Sequence, residues 1–244
     1  MKAAIAFLLR ATLTIFIWFV LRWAFYAPIS VAVNLMILAE GPLLVYPVVW
    51  LGRIVLDRHR TKSWAVWTTT FVHFSLGFFL GIPLLRAIAT WRSWPGPALP
   101  VPPAISSALV FVTGAACTLT VVNLALRGLG APFFIVLSRR MATDWMYAWT
   151  RNPMVLTVLA FLVSLGIRYQ SLLFVLWVLI LLAPAELTFV KVFEERELEI
   201  RFGAPYLDYK SRTPMLFPRR PKKSSDEPPR ASASIASEPL TTNR

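Results

Sequence analysis

The chain has 244 residues, 57% of them hydrophobic and only 15% charged, with a formal net charge of +13. A soluble domain carries nearer a quarter charged residues, so this composition excludes a disordered chain and argues against a soluble globule. The basic residues lie mainly between long apolar runs, a pattern that orients a membrane protein rather than building a nucleic-acid surface.

Crossing about 30 Å of hydrocarbon takes roughly 20 helical residues. Ala3 to Phe25 is long enough, although Arg10 and Arg22 interrupt it. Arg22 lies near an end and snorkels. A signal peptide is the competing reading, but Arg10 would split its apolar region and no small-x-small cleavage site follows. The second run, Ile29 to Leu51, holds Asn34, Glu40, Gly41, Pro42 and Pro47. A Gly-Pro pair loosens a helix, so this run is expected to bend or break. Trp64 to Leu85 is the third run and Ile105 to Leu126 the fourth. Between them Pro95, Pro97, Pro100, Pro102 and Pro103 predict a stiff loop.

The last apolar block, Met154 to Ala185, is broken only by Arg168-Tyr169-Gln170. As one helix it would reach about 48 Å, too long for a bilayer. A turn at Gly166 to Gln170 predicts two antiparallel helices instead. The first arm, Met154 to Ile167, covers about 21 Å, as a short span or a re-entrant hairpin.

Sidedness follows from Lys and Arg in the short loops. Arg53, Arg58, Arg60 and Lys62 occupy the 52–63 connection, and Arg127, Arg139, Arg140 and Arg151 the 127–152 connection. The opposite turns hold only Arg22, Arg86, Arg92 and Arg168. Both termini are therefore expected in the cytoplasm. Residues 219–244 turn to Lys, Arg, Ser, Pro and Ala, the composition of a disordered basic tail attracted to anionic lipid. The expected architecture is an all-α integral membrane protein of about six transmembrane or re-entrant helices. It closes with a C-terminal helical hairpin and a cytosolic cap.

Of the twelve acidic residues, six fall between Glu186 and Asp208. The run Phe193 to Glu199 reads either as a solvated helix extension with Glu–Arg pairs or as acids at the membrane boundary holding a ligand. In the second cluster, Pro153 suits a first helical turn, Asn152 is placed as its cap, and Arg151 lies just outside. An anion clamp beside a helix N-terminus is the functional reading. Gly128-Leu129-Gly130 closes the fourth helix, where a C-cap is the plain explanation. Glu40 is either a paired acid stabilising a broken helix, with Arg10 a possible partner, or a proton or substrate site. His73 is expected to be a hydrogen-bonded polar residue of the third helix. His59 lies in a basic loop and Cys117 in an apolar run, so no histidine or cysteine metal site is expected. Tryptophans such as Trp64, Trp91 and Trp94 suit interfacial anchoring.

Taken together and in order, Gly128 to Pro218 resembles the C-terminal region of the isoprenylcysteine carboxyl methyltransferase and phospholipid methyltransferase superfamily. The corresponding residues are Gly128 and Gly130; Tyr147, Arg151, Asn152 and Pro153; Glu194 and Glu195; Leu198, Phe202, Gly203, Tyr206 and Tyr209; Pro214 and Pro218. The resemblance implies three parts: N-terminal transmembrane helices over 1–127, a methyltransferase-like core over 128–218, and the tail over 219–244. It also implies an enzyme using S-adenosylmethionine (SAM), bound by Gly128, Gly130, Tyr147, Arg151, Asn152, Pro153, Glu194 and Glu195, with no metal. The methyl acceptor would be a lipid-borne or prenylcysteine-like carboxylate or amine. The implied location is the cell (inner) membrane, or the endoplasmic reticulum in a eukaryote. No catalytic residue is singled out. Two positions depart from the family: Val155 stands where a tyrosine is usual, and Thr157 where a glycine is common. A nicotinamide-dependent membrane reductase and a non-catalytic protein retaining the fold are the alternatives.

Overall fold

A computed structural model describes residues 2–94, 96–127 and 141–220, and nothing but helices, turns and one isolated bridge occurs among them. Four apolar segments are long enough to cross a membrane: Val31–Arg58, Lys62–Ser93, Pro103–Leu126 and Leu172–Phe202. Two shorter apolar helices, Thr14–Tyr26 and Pro153–Arg168, accompany them. The all-helical membrane architecture is therefore as expected from the sequence.

The helices are α1 (Lys2–Tyr26), α2 (Val31–Arg58), α3 (Lys62–Phe79), α4 (Gly81–Thr90) and α5 (Pro103–Arg127). A single turn, α6 (Met146–Trp149), precedes α7 (Pro153–Arg168). The long helix α8 (Leu172–Phe202) follows, and α9 (Ala204–Arg212) closes the described chain.

Helix α2 corrects the expectation of a break, because it runs through Gly41, Pro42 and Pro47 without interruption. The reason is tertiary. Gly41 is buried where α2 crosses the α3–α4 junction, so tightly that a Cβ there would lie 2.6 Å from the Phe79 carbonyl oxygen and against the Pro83 ring. Packing at this crossing, rather than local propensity, decides the conformation. A second close approach occurs at Gly52, where a Cβ would meet Val72 at 2.7 Å and Phe193 at 2.8 Å. Helix α2 thus lies against both α3 and α8, and Val45, Val49, Leu56, Val72, Val190 and Phe193 fill the core between them.

The hairpin of α7 and α8 turns where the sequence indicated. Ser171 caps α8 through Phe174 N–H (3.2 Å), and Gly166 packs on Val175 and Phe174. The Leu99 N–H donates to the Gln170 carbonyl (3.1 Å), which pins the proline-rich loop to this turn. At the same end Arg86, only 3% exposed, donates to Asn34 Oδ1 (2.9 Å) and to the Ala24 carbonyl (2.8 Å). A buried guanidinium satisfied in this way ties α1, α2 and α4 together. The side chain of Arg10, and with it the expected pairing with Glu40, lies outside the described residues; Glu40 itself is exposed on α2.

Helix α8 is not a uniform α-helix. Val178–Leu182 and Phe189–Glu194 are widened π turns, closed by Ala183 N–H to the Val178 carbonyl and by Glu195 N–H to the Val190 carbonyl. The first precedes Pro184, whose ring would otherwise clash with the carbonyl four residues back. The second shapes the site.

Candidate functional site

A cavity of about 350 Å³ opens between α3–α4 on one side and α7–α8 on the other. Its inner part is apolar, walled by residues such as Leu76, Leu84, Leu159 and Leu182, while its mouth carries charged groups. The two-part lining suits a ligand with a polar head and an apolar body.

Arg151 reaches this mouth from the turn before α7. Its side chain is about 10% exposed and makes an ion pair from Nη2 to Glu195 Oε1 (2.8 Å). Its Nε and Nη1 are buried and have no hydrogen-bond partner among the described residues. Glu195 is fully engaged, since Oε2 pairs with Lys210 (2.7 Å). Burial opposes the Lys210 ammonium, but its bonds to Glu195 and Glu199 outweigh that and raise its pKa above the usual lysine value. The pairing continues through Glu199 to Arg196 (3.0 Å) and on to Asp57 of α2 (2.8 Å). Glu199 therefore corrects the reading of a plain exposed extension. It is half-buried and sits inside the chain of charges that holds Glu195.

Glu194 and Glu186 also line the cavity, and among the described residues neither has a hydrogen bond or ion pair. The widened turn puts them on one face. In a regular α-helix, residues eight apart are rotated by about 80°. One extra residue absorbed by a π turn reduces the offset to about 20°.

Asn152 occupies the N-cap position of α7, yet its side chain does not cap the helix. Its Nδ2 donates to the Met215 carbonyl (2.9 Å), which also accepts from Thr150 Oγ1 (3.1 Å). The Arg151 N–H donates to the Pro214 carbonyl (2.9 Å), and the Arg219 N–H to the Trp149 carbonyl (3.0 Å). The segment from Pro214 to Arg219 is thus stapled along the turn that presents Arg151, and Arg219 belongs to the fold rather than to a free tail. Pro153 opens α7 as expected. Tyr147 lines the mouth, with Tyr209 Oη donating to its carbonyl (2.7 Å). Burial raises the phenol pKa of Tyr147, Tyr206 and Tyr209, with the Glu194 charge adding at Tyr147, so all three remain neutral donors.

Gly128 and Gly130 lie outside the described residues. Val155 is buried and lines the cavity, whereas Thr157 faces α5, bonding Thr120 Oγ1 (3.1 Å). Of the two departures from the family pattern, then, only Val155 touches the cavity. Sequence reasoning missed the cavity roles of His73 and Glu186. Glu186 carried a signal, being the first acid of the C-terminal cluster and standing inside an apolar stretch.

Residues 104–204 match the phospholipid methyltransferase family. The resemblance to that superfamily is borne out, and the matched region spans α5, α7 and α8, three of the helices around the cavity. No curated protein and no solved structure matches the chain. The chain thus carries a region similar to a methyltransferase family, and its four long apolar helices give it the character of a membrane protein. Helices α3 and α4, which supply the remaining wall, lie N-terminal to the phospholipid methyltransferase match.

Proposed function

We propose that the protein is an integral membrane methyltransferase that uses SAM and a lipid-borne acceptor. The observation that carries this reading is the unpartnered edge of Arg151, buried at the mouth of a cavity that also presents an unpaired carboxylate and an apolar interior. SAM fits this donor set: its amino-acid carboxylate would meet Arg151 Nε and Nη1, and its ammonium would meet Glu194. Glu195, with both oxygens occupied, orients Arg151 instead of contacting ligand. When bound, SAM supplies an activated methyl group. The protein's residues bind and orient the two substrates and keep water from the transfer. Equilibrium binding to detergent-purified protein tests the reading: SAM is expected to bind and NADPH not to. The reverse result would favour a nicotinamide-dependent reductase, and binding of neither would favour a non-catalytic protein.

Asp57, Arg151 and Arg219 sit at one end of the bundle, joined by the contacts described above, while Arg86 and Gln170 mark the other. We place the first end in the cytoplasm, where SAM is available and where the loop cations belong. In a Cys117→Ser background, Arg60→Cys and Arg220→Cys are expected to react with impermeant thiol reagent from the cytoplasmic side, and Arg92→Cys from the opposite side. Labelling of positions 60 and 220 from different sides would overturn this orientation.

A further inference from the structure

We infer that Arg53 and Asp57 of α2 are positioning residues for the cofactor site, clasping the widened turn of α8 that aims Glu194 and Glu195. This rests on the SAM reading and adds to it two residues N-terminal to the family match. Arg53 Nη1 donates to the Val192 carbonyl (3.0 Å), an oxygen inside the widened turn. Its Nε pairs with Asp57 Oδ2 (2.7 Å), and Asp57 Oδ1 takes Arg196 Nε (2.8 Å). Each guanidinium thus holds one oxygen of the same carboxylate. Neighbouring Gly52 lets α2 come this close, because a Cβ there would meet Phe193 at 2.8 Å.

The two points gripped on α8, Val192 and Arg196, lie about one turn apart and flank the acids Glu194 and Glu195. Arg53 and Asp57 are likewise about one turn apart on α2, so the two helices meet rung for rung. A widened turn is a local defect that a helix can carry at neighbouring positions. Moving it past Glu195 would rotate both acids by about 100° and part Glu195 from Arg151. The clasp opposes that shift, because it ties both the turn itself and the residue just beyond it to α2. The Arg53 and Asp57 side chains are 32% and 37% exposed, and ion pairs so exposed contribute little to stability. Their weight falls on the orientation of the acids, and so on ligand affinity rather than on folding.

The test compares SAM with 5′-methylthioadenosine, which keeps the nucleoside and the sulfur but lacks the amino-acid carboxylate and ammonium. Equilibrium binding is measured on the full chain in detergent. Asp57→Asn is expected to weaken SAM binding at least about fivefold and to leave methylthioadenosine affinity unchanged. Its Tm should fall by no more than about 4 °C. Arg53→Met should act alike, and carries the test if Asp57→Asn fails to fold. Because the two residues form one clasp, the double variant should bind SAM no more weakly than the weaker single variant. Val45→Ala, in the buried core of α2, should lower Tm further yet leave both affinities at the parent values. Equal losses for both ligands would overturn the proposal, as would losses that multiply in the double variant or a SAM-selective loss in Val45→Ala. Where the parent holds methylthioadenosine too weakly to measure, the double variant decides. Parent-like SAM binding in both single variants would overturn the clasp and leave the SAM reading intact. A parent that fails to bind SAM would overturn both.

Discussion

Arg151→Ala is expected to weaken SAM binding at least about tenfold, with the protein still folded. Truncating one partner of a buried charged contact costs about 2–5 kcal/mol, and each 1.4 kcal/mol is a tenfold change. The variant should fold because Glu195 keeps Lys210 as a partner at 2.7 Å. Glu195→Ala is expected to weaken binding by a similar factor for a different reason. It leaves the Arg151 guanidinium buried without any described partner, free to turn from the cavity and costly to keep there. Thermal stability should accordingly fall more for Glu195→Ala than for Arg151→Ala. Glu199→Ala should produce a smaller loss of affinity, because Glu199 does not line the cavity but does hold Lys210 at 3.0 Å. Titration calorimetry with SAM on the three variants checks the order. Parent-like affinity in both Arg151→Ala and Glu195→Ala would remove the anion clamp from the site.

The second large effect is expected at Gly41. Alanine in the interior of a helix is ordinarily favoured over glycine by about 0.5–1 kcal/mol. Here its methyl would press on the Phe79 carbonyl and the Pro83 ring, neither of which yields easily. Overpacking commonly costs about 1–3 kcal/mol and outweighs that gain, so Gly41→Ala is expected to lower Tm in detergent by roughly 2–4 °C for each net kcal/mol lost. Gly81→Ala is the matched control, because a Cβ there meets nothing within 4 Å. Equal melting temperatures for the two variants would show that the α2 crossing tolerates a wider spacing than the structure indicates.

Much of the fold was legible because membrane thickness converts hydrophobic length directly into topology. The turn at Gly166 to Gln170 followed from a block too long for one crossing, and the structure turns there. The meeting of Arg151 with Glu195 followed from hairpin geometry, which returns the chain to its starting side. What stayed hidden depends on contacts distant in sequence. Continuity of α2 through Gly41-Pro42 rests on Pro83, some forty residues later. Asn152 looked like a helix cap because capping is a local habit of asparagine, but its amide serves the Met215 carbonyl instead. Glu199 looked solvated because Lys210 and Arg196 were not yet known to flank it. His73 could not be placed on the cavity from its neighbours in sequence, which are as apolar and aromatic as those of any spanning helix.

The widened turn at Phe189–Glu194 has a meaning in the currency of insertions and deletions. A helix that takes in one residue through a π turn swells at that point and resumes its former phase beyond it. Upstream, the seam of Phe174, Val178 and Leu182 packs toward the bundle; downstream, Glu194, Glu195 and Arg196 keep the orientations that join them to the cavity and to α2. The extra length is absorbed beside Lys191, which is exposed. The same residue added to an unbroken α-helix would swing everything after it by about 100° and aim the acids away from Arg151. The helix thus carries its surplus residue as a local bulge, and the charged end of the molecule is indifferent to it.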